Sequence, residues 1–377
     1  MAMAKQYGKR LANLRVRRQA PRGATVLAAD SAAERFYATE SYEKRSSGEA
    51  TKYTLGSMQE VNSEYTKIGI DEANRVGDQL HSGLKAEGIS ISLDLQGSVP
   101  LNIHIRGASD VDVLALHDGF ITKDSSGVRA QAGHYTSLPG SVFDDMRALR
   151  SRSEIILQRV FWGATVDTSG AKSIKLSDGS LKRKIDVVPA HWHDTATYQI
   201  SQQKHDREVR VWDKVAQTTI PNLPFLHMKK INDKDVFADG GLKKTIRLLK
   251  NIRKDAEEDG PTIALSSFDL ASLMWHCHDS ILRYPSWQEL SLLNTVDSHL
   301  ETLASSYALA ASLNAPDGSR KIVDTPEKFN SLVRLSAEVH AIALDVLRES
   351  NYLFGLLSEI NRETLRKGLL DARVSAA

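Results

Sequence analysis

Beyond Pro221 and Pro224 the chain changes period. Before that point, short stretches alternate apolar and polar residues, the two-residue repeat of a half-buried strand. After it, residues 242–253, 268–282, 287–303, 326–348 and 353–369 carry apolar positions at three- and four-residue steps, with little strand signal. A switch of this kind predicts an α+β fold with two parts. The boundaries drawn from it are 1–215 for a sheet-containing part with N-terminal helices and 216–377 for a helical lobe. A cleft between a sheet part and a helical lobe is a natural place for a ligand.

Within the first part, Leu55, Met58, Val61, Tyr65, Ile68, Val76, Leu80 and Leu84 line one face of a helix predicted over 51–84. Strands are predicted at 91–95, 110–116 and 182–188, the last closed by Pro189. Between the second and third strands lie a Gly/Ser-rich loop over 123–140 and a helix over 143–161.

Composition sets limits on function. The 377 residues hold 49 Lys and Arg against 47 Asp and Glu, a net charge of +2, too balanced for a dedicated nucleic-acid binder. Hydrophobic residues at 41% and charged residues at 25% exclude disorder as the overall state. A single cysteine, Cys277, excludes an intrachain disulfide and a four-cysteine zinc site, and makes a reducing cytoplasm the default location. No uncharged apolar run approaches the roughly 18 residues of a membrane span, so no membrane partner is expected. Seven basic residues (Lys5, Lys9, Arg10, Arg15, Arg17, Arg18, Arg22) precede the first acid, Asp30. They read as a basic arm or surface helix in preference to a transit peptide.

Three short pieces carry chemistry: Gln96-Gly97-Ser98, Asp110-Val111-Asp112 and Ile185-Asp186-Val187. Residues two apart on a strand share a face, so Asp110 and Asp112 project together while Val111 and Val113 turn inward. Asp186, set among Ile185, Val187 and Val188, projects likewise from a neighbouring strand. Three carboxylates converging from two strands suit two divalent cations with oxygen ligands, Mg²⁺ with Mn²⁺ as a substitute. Gly97 allows a phosphate close to the backbone, and Ser98 adds a hydroxyl donor.

Together these pieces resemble the nucleotidyltransferases with a polymerase β-like core. The helical part narrows the match: the stretches 241–250 and 266–273 are similar to helices of the 2′-5′-oligoadenylate synthetases and cyclic GMP-AMP synthase, and the long helix before the strands resembles their spine helix. The bacterial members of that group are the CD-NTases. The resemblance implies that the core packs against a C-terminal helical lobe. It also implies a cytoplasmic, Mg²⁺-dependent enzyme that joins NTPs into a cyclic di- or trinucleotide signal for anti-phage (CBASS) defence and releases pyrophosphate. Its substrates would be ATP or GTP, with pyrimidine NTPs also open, and its partners CBASS-associated regulatory or conjugating proteins.

Carried over residue by residue, Asp110 and Asp112 would hold both metals and Asp186 the one nearer the acceptor hydroxyl. Gln96, Gly97 and Ser98 would grip the donor triphosphate. Arg247 and Lys250 would reach its outer phosphates, and Phe268, with Ser267 beside it, would stack on a base. A solvated helix face is the plain alternative for Arg247 and Lys250, and core packing for Phe268. Zinc-dependent DNA sensing is not expected, for want of cysteines. His191, His193, His276 and His278 form two clusters that only folding could unite, and surface or core-edge histidines are the simpler reading. In some CD-NTases the C-terminal tail is conjugated to another protein; the small residues of 371–377 read more simply as a frayed end.

Two other functions stay open. One is a nucleotidyltransferase acting on a small molecule, a tRNA end or a protein. The other is a non-catalytic sensor that binds nucleotide or nucleic acid through Lys182, Arg183, Lys184 and the basic N-terminus.

Overall fold

The structure, a computed structural model, describes residues 7–19, 40–107, 109–136 and 140–375. Its contacts divide the chain into two units. One holds Asn62–Leu101 and Ser109–Lys230; the other holds the segments up to Val61, Asn102–Ala108 and Ile231 onward. The division is drawn differently from the 1–215 and 216–377 parts read from the sequence, because the helices before Asn62 pack within the second unit.

Asn62 is also where the helix predicted over 51–84 breaks into two, Glu49–Met58 and Ser63–Ala86. Its side chain accepts from the N–H groups of Glu64 (2.8 Å) and Tyr65 (3.4 Å). That starts a new helix instead of continuing the old one. In the first unit the Ser63–Ala86 and Val142–Val160 helices bury Val76, Leu80, Leu84, Met146, Leu149 and Ile156 against one face of a seven-stranded sheet.

The strands are β1 (Ile91–Gln96), β2 (Val111–Lys123), β3 (Thr165–Asp167), β4 (Ile174–Ser177), β5 (Ile185–Asp194), β6 (Glu208–Asp213) and β7 (Thr218–Asn222). Their order is β1-β2-β5-β4-β3, with β6 pairing both β5 and β7. Only β2 and β5 run parallel. Val111, Val113, Ile185 and Val187 point into the helix-covered core. The alternate positions Leu114, Leu116, Val188 and Ala190 build a second, smaller core on the opposite face with Trp192 and Phe225.

β5 does not stop at Pro189 as expected. Pairing with β4 runs through Val187 and pairing with β6 begins at Ala190, so the proline falls between two partners, where its missing N–H breaks neither ladder. The loop over 123–140 is shorter than expected, because β2 reaches Lys123 and Val128–Gln131 forms one helical turn.

The second unit is helical, and it turns the expected basic N-terminus into structure. In the Tyr7–Gln19 helix, Arg17 forks onto Asp255 (2.5 and 2.7 Å), which also accepts from the buried Tyr53 hydroxyl (2.6 Å). Arg10 reaches Asp259 and Glu338, Arg15 reaches Glu43, and Arg18 pairs with Glu40. These cations answer acids inside the unit, so they form no free arm; Lys5 and Arg22 lie outside the described residues.

The tail is likewise held. Val374 donates to the Trp287 carbonyl (3.0 Å), and the buried Arg45 donates to the Ser375 carbonyl (2.8 Å) and pairs with Glu289. The frayed end expected over 371–377 is therefore not found through Ser375; Ala376 and Ala377 lie outside the described residues. The helix predicted over 353–369 is two pieces, Tyr352–Gly355 and Arg362–Asp371, the second capped by Asn361. Among the described residues no helix is long and apolar enough to cross a membrane.

Candidate active site

Strand register lines the acidic residues up across the sheet. Gln96 of β1 is opposite Asp112 of β2, Asp112 is opposite Asp186 of β5, Asp186 is opposite Lys175 of β4, and Lys175 is opposite Asp167 of β3. Opposed residues on neighbouring strands share a face, so these five side chains form one row on the face not covered by the helices. Asp110 immediately precedes β2, with the Val111 N–H bonded to the Lys184 carbonyl at 3.1 Å, and shares the face of Asp112. Strand register thus sets the positions of Asp110, Asp112 and Asp186 side by side on one face, at the start of two parallel strands.

Gly97 closes the row at the β1 end. Its φ of +83° lies in the left-handed region, and a Cβ there would stand 2.4 Å from Asp112 Oδ2. Backbone and carboxylate are in direct contact, which only glycine permits. Ser98 follows in the turn leaving β1.

Asp186 bears the clearest mark of the site. One oxygen, Oδ2, accepts from the Ser173 hydroxyl at 3.2 Å, and the other, Oδ1, is buried without a hydrogen-bond partner. Burial pushes its carboxyl above the usual range and the charge of Asp110 adds to the rise, while Lys175, Ser173 and Lys184 oppose it. An all-carboxylate donor set with an unanswered buried oxygen has the chemistry of a site for a hard divalent cation. Among the described residues, no three His, Cys, Asp or Glu side chains already stand gathered as a ligand set. The fit therefore rests on donor chemistry and on the unanswered oxygen.

Several site residues escaped the sequence reading because β3 and β4 span only 3 and 4 residues, too short for a period to register. β4 delivers Lys175, and the residue before it delivers Ser173. The turn between β3 and β4 is held by Arg150 of the Val142–Val160 helix, 2% exposed, which donates to the carbonyls of Thr168, Gly170, Ala171 and Ser173. One guanidinium thereby fixes the loop that hands a hydroxyl to Asp186.

Four predicted nucleotide contacts lie in the helical unit. Arg247 is 2% exposed and donates to the carbonyls of Met58 and Asn102, both at 2.7 Å. Lys250 is 1% exposed and donates to the Ile103 carbonyl at 2.9 Å. Both cations cross-link backbone segments of their own unit, so they are neither the phosphate donors expected nor the solvated face that was the alternative. Ser267 opens the Ser267–Trp275 helix, whose capping box is made by Ser266 and Asp269. Phe268 is half-buried with the Arg320 guanidinium over its ring at 4.8 Å.

Of the residues of the sensor reading, Arg183 is engaged within its own unit. Arg183 lies over the Tyr65 ring and donates to the Tyr65 carbonyl, and burial lowers its pKa to about 9. His191 is fully buried, which pushes its pKa down to about 4, and His193 bonds Thr122 and Asp124. His276 and His278 lie in the other unit, so the two histidine clusters are not united within either.

Known proteins resemble this chain in sequence and fold. Residues 229–343 match the family of cGAS/DncV-like nucleotidyltransferase C-terminal helical domains. The chain is 38% identical over 315 residues to a cyclic dinucleotide synthase of Yersinia aleksiciae, covering 83% of this chain and 81% of the relative. A c-di-GMP synthase of a Lachnospiraceae bacterium is 28% identical over 265 residues, covering 65% of this chain and 74% of that one. Among solved structures, a STING-associated c-di-GMP synthase from Capnocytophaga granulosa superposes with a TM-score of 0.68 at 26% identity, covering 90% of this chain and 97% of that one.

Proposed function

This chain belongs to the CD-NTases, the cGAS/DncV-like nucleotidyltransferases, and on that premise we propose that it joins two nucleoside triphosphates into a cyclic dinucleotide on the row Asp110–Asp112–Asp186. The contact between Gly97 and Asp112 carries the reading. It puts a bare stretch of backbone, able to approach a triphosphate, directly against the carboxylates that would act on it.

In each transfer the 3′- or 2′-oxygen of one nucleotide attacks the α-phosphorus of another. The bond to the β-phosphate breaks, and pyrophosphate leaves with the electron pair. Asp186 helps take up the hydroxyl proton; burial and the charge of Asp110 raise its affinity for one. Gly97 and Ser98 hold the donor phosphates in line, so positioning supplies much of the rate. Two divalent ions held by the three aspartates would polarise the phosphate and offset its charge. A second transfer within the linear intermediate closes the ring. The product is proposed as a signal in anti-phage defence, as the STING association of the Capnocytophaga relative suggests.

The test is incubation of the purified protein with all four NTPs and Mg²⁺, beside an Asp110→Ala/Asp112→Ala control, with phosphatase-treated products read by mass spectrometry. A phosphatase-resistant species at a cyclic dinucleotide mass, absent from the control, is the expected result and names the bases. A product that carries the nucleotide on a non-nucleotide acceptor would replace this reading with simple nucleotidyl transfer.

A further inference from the structure

Two lysines stand beside Asp186 without a hydrogen bond or close ion pair, one across the sheet and one just before its own strand. Lys175 is the cross-strand neighbour of Asp186 on β4, and Lys184 lies two residues before Asp186 on the same chain. Both positions share the face of Asp186. Both side chains are exposed, and neither ammonium makes a hydrogen bond or ion pair with another described residue. Asp167, the next residue in the row, turns its carboxylate to the Ser169 N–H of its own loop at 2.8 Å. Two ammonium groups that offset the charge of Asp186 yet keep their hydrogen-bond donors unused can take an anion.

Geometry says which anion. Neighbouring strands lie about 4.8 Å apart, so Lys175 sits roughly 10 Å from Asp112 and roughly 14 Å from Gln96 along the row. The donor triphosphate at Gly97 and an anion at Lys175 would therefore occupy opposite sides of the reacting centre. We propose that Lys175 and Lys184 form the subsite for the 5′-triphosphate of the acceptor nucleotide, the one whose hydroxyl meets Asp186. This assignment rests on the functional reading above. It also gives the reaction an order: the linear intermediate keeps the acceptor's triphosphate, which must leave the lysines and reach Gly97 before the ring can close.

The test is titration calorimetry of the full chain with Mg²⁺ and a GTP analogue carrying a methylene between its α- and β-phosphates, which binds but does not react. The wild type should take up two nucleotides per chain and the Lys175→Gln/Lys184→Gln variant one. Affinity at the second site should fall by roughly tenfold per lysine. The Lys175→Arg/Lys184→Arg variant keeps the charges and should keep both sites, which separates anion recognition from a folding defect. One nucleotide on the wild type, two at unchanged affinity on the glutamine variant, or loss of the second site in the arginine variant each overturns the proposal. A wild type that binds two nucleotides yet makes no phosphodiester product from NTPs sinks the functional reading and leaves the anion subsite standing.

Discussion

Gly97→Ala separates two costs that usually travel together. The first is backbone strain: φ of +83° is open to glycine, and placing alanine there costs roughly 1–2 kcal/mol. The second is steric, because the new methyl would lie 2.4 Å from Asp112 Oδ2, about 1 Å inside an ordinary carbon–oxygen contact. The carboxylate must swing away by about that distance, and a misplacement of about 1 Å at a reacting centre can cost about a hundredfold in rate. Gly88 supplies the control within the same unit. Its φ is +80° and nothing lies within 4 Å of its absent Cβ, so Gly88→Ala has the strain without the collision. Both variants should lose a similar few degrees of melting temperature, given a penalty of about 1–2 kcal/mol. Only Gly97→Ala should lose about a hundredfold in kcat/KM for dinucleotide formation. Equal activity in the two variants, high or low, would refute the claim that the glycine exists to let backbone and carboxylate touch.

Asp186→Asn should abolish product formation yet raise the melting temperature near pH 7. Its carboxyl has a folded-state pKa above the unfolded one, so its charge disfavours the fold at neutral pH. That advantage should shrink as pH falls into the range where Asp186 of the wild type is itself protonated, and a pH series of melting curves checks the sign. Arg150→Met removes the donors to four loop carbonyls and should cost about 3 kcal/mol in a denaturant titration. Arg247→Met should lower stability by a similar amount, roughly 3 kcal/mol, with the KM for NTP unchanged in the folded fraction. A large rise in KM with unchanged stability would restore the phosphate-binding role first read for it. Arg17→Leu should destabilise the helical unit by roughly 3–5 kcal/mol through the orphaned Asp255, without altering retention on immobilised DNA.

What the sequence disclosed depended on how far a residue's role is set by its own neighbours. On a strand the face alternates every residue, so Asp112 beside Val111 and Val113 already says which side chain is outside, and Asp186 beside Ile185 and Val187 repeats the statement. Pairing then only had to bring the two strands together, and it did so in register. Helix breaks were harder to see. The apolar spacing runs on through Gln59–Asn62, and only the capping bonds of Asn62 show that one helix ends and another starts there. The turn that carries Ser173 left no periodic trace at all; its position is set by Arg150, more than 20 residues earlier in the chain.

Lysine and arginine show why charge in a sequence is a poor guide to function. Arg247 and Lys250 sit three apart on one helix and looked available to a phosphate, yet both are buried and spend donors on the carbonyls of Met58, Asn102 and Ile103. Those carbonyls lie in residues 58–103, about 145 to 190 positions from the helix, so nothing local could have announced them. Lys175 looked like one of many surface cations. Its meaning comes from the β4–β5 register, which sets it opposite Asp186, and from the Asp167 carboxylate being already engaged by its own loop. A cation that has found carbonyls is part of the scaffold, because moving it would leave buried acceptors unanswered. A cation left without a partner beside acids, on a face that must receive polyphosphate, keeps its charge for the substrate. By that criterion Lys175 and Lys184 fit the proposed acceptor subsite, and Arg247 and Lys250 fit the frame of the helical unit.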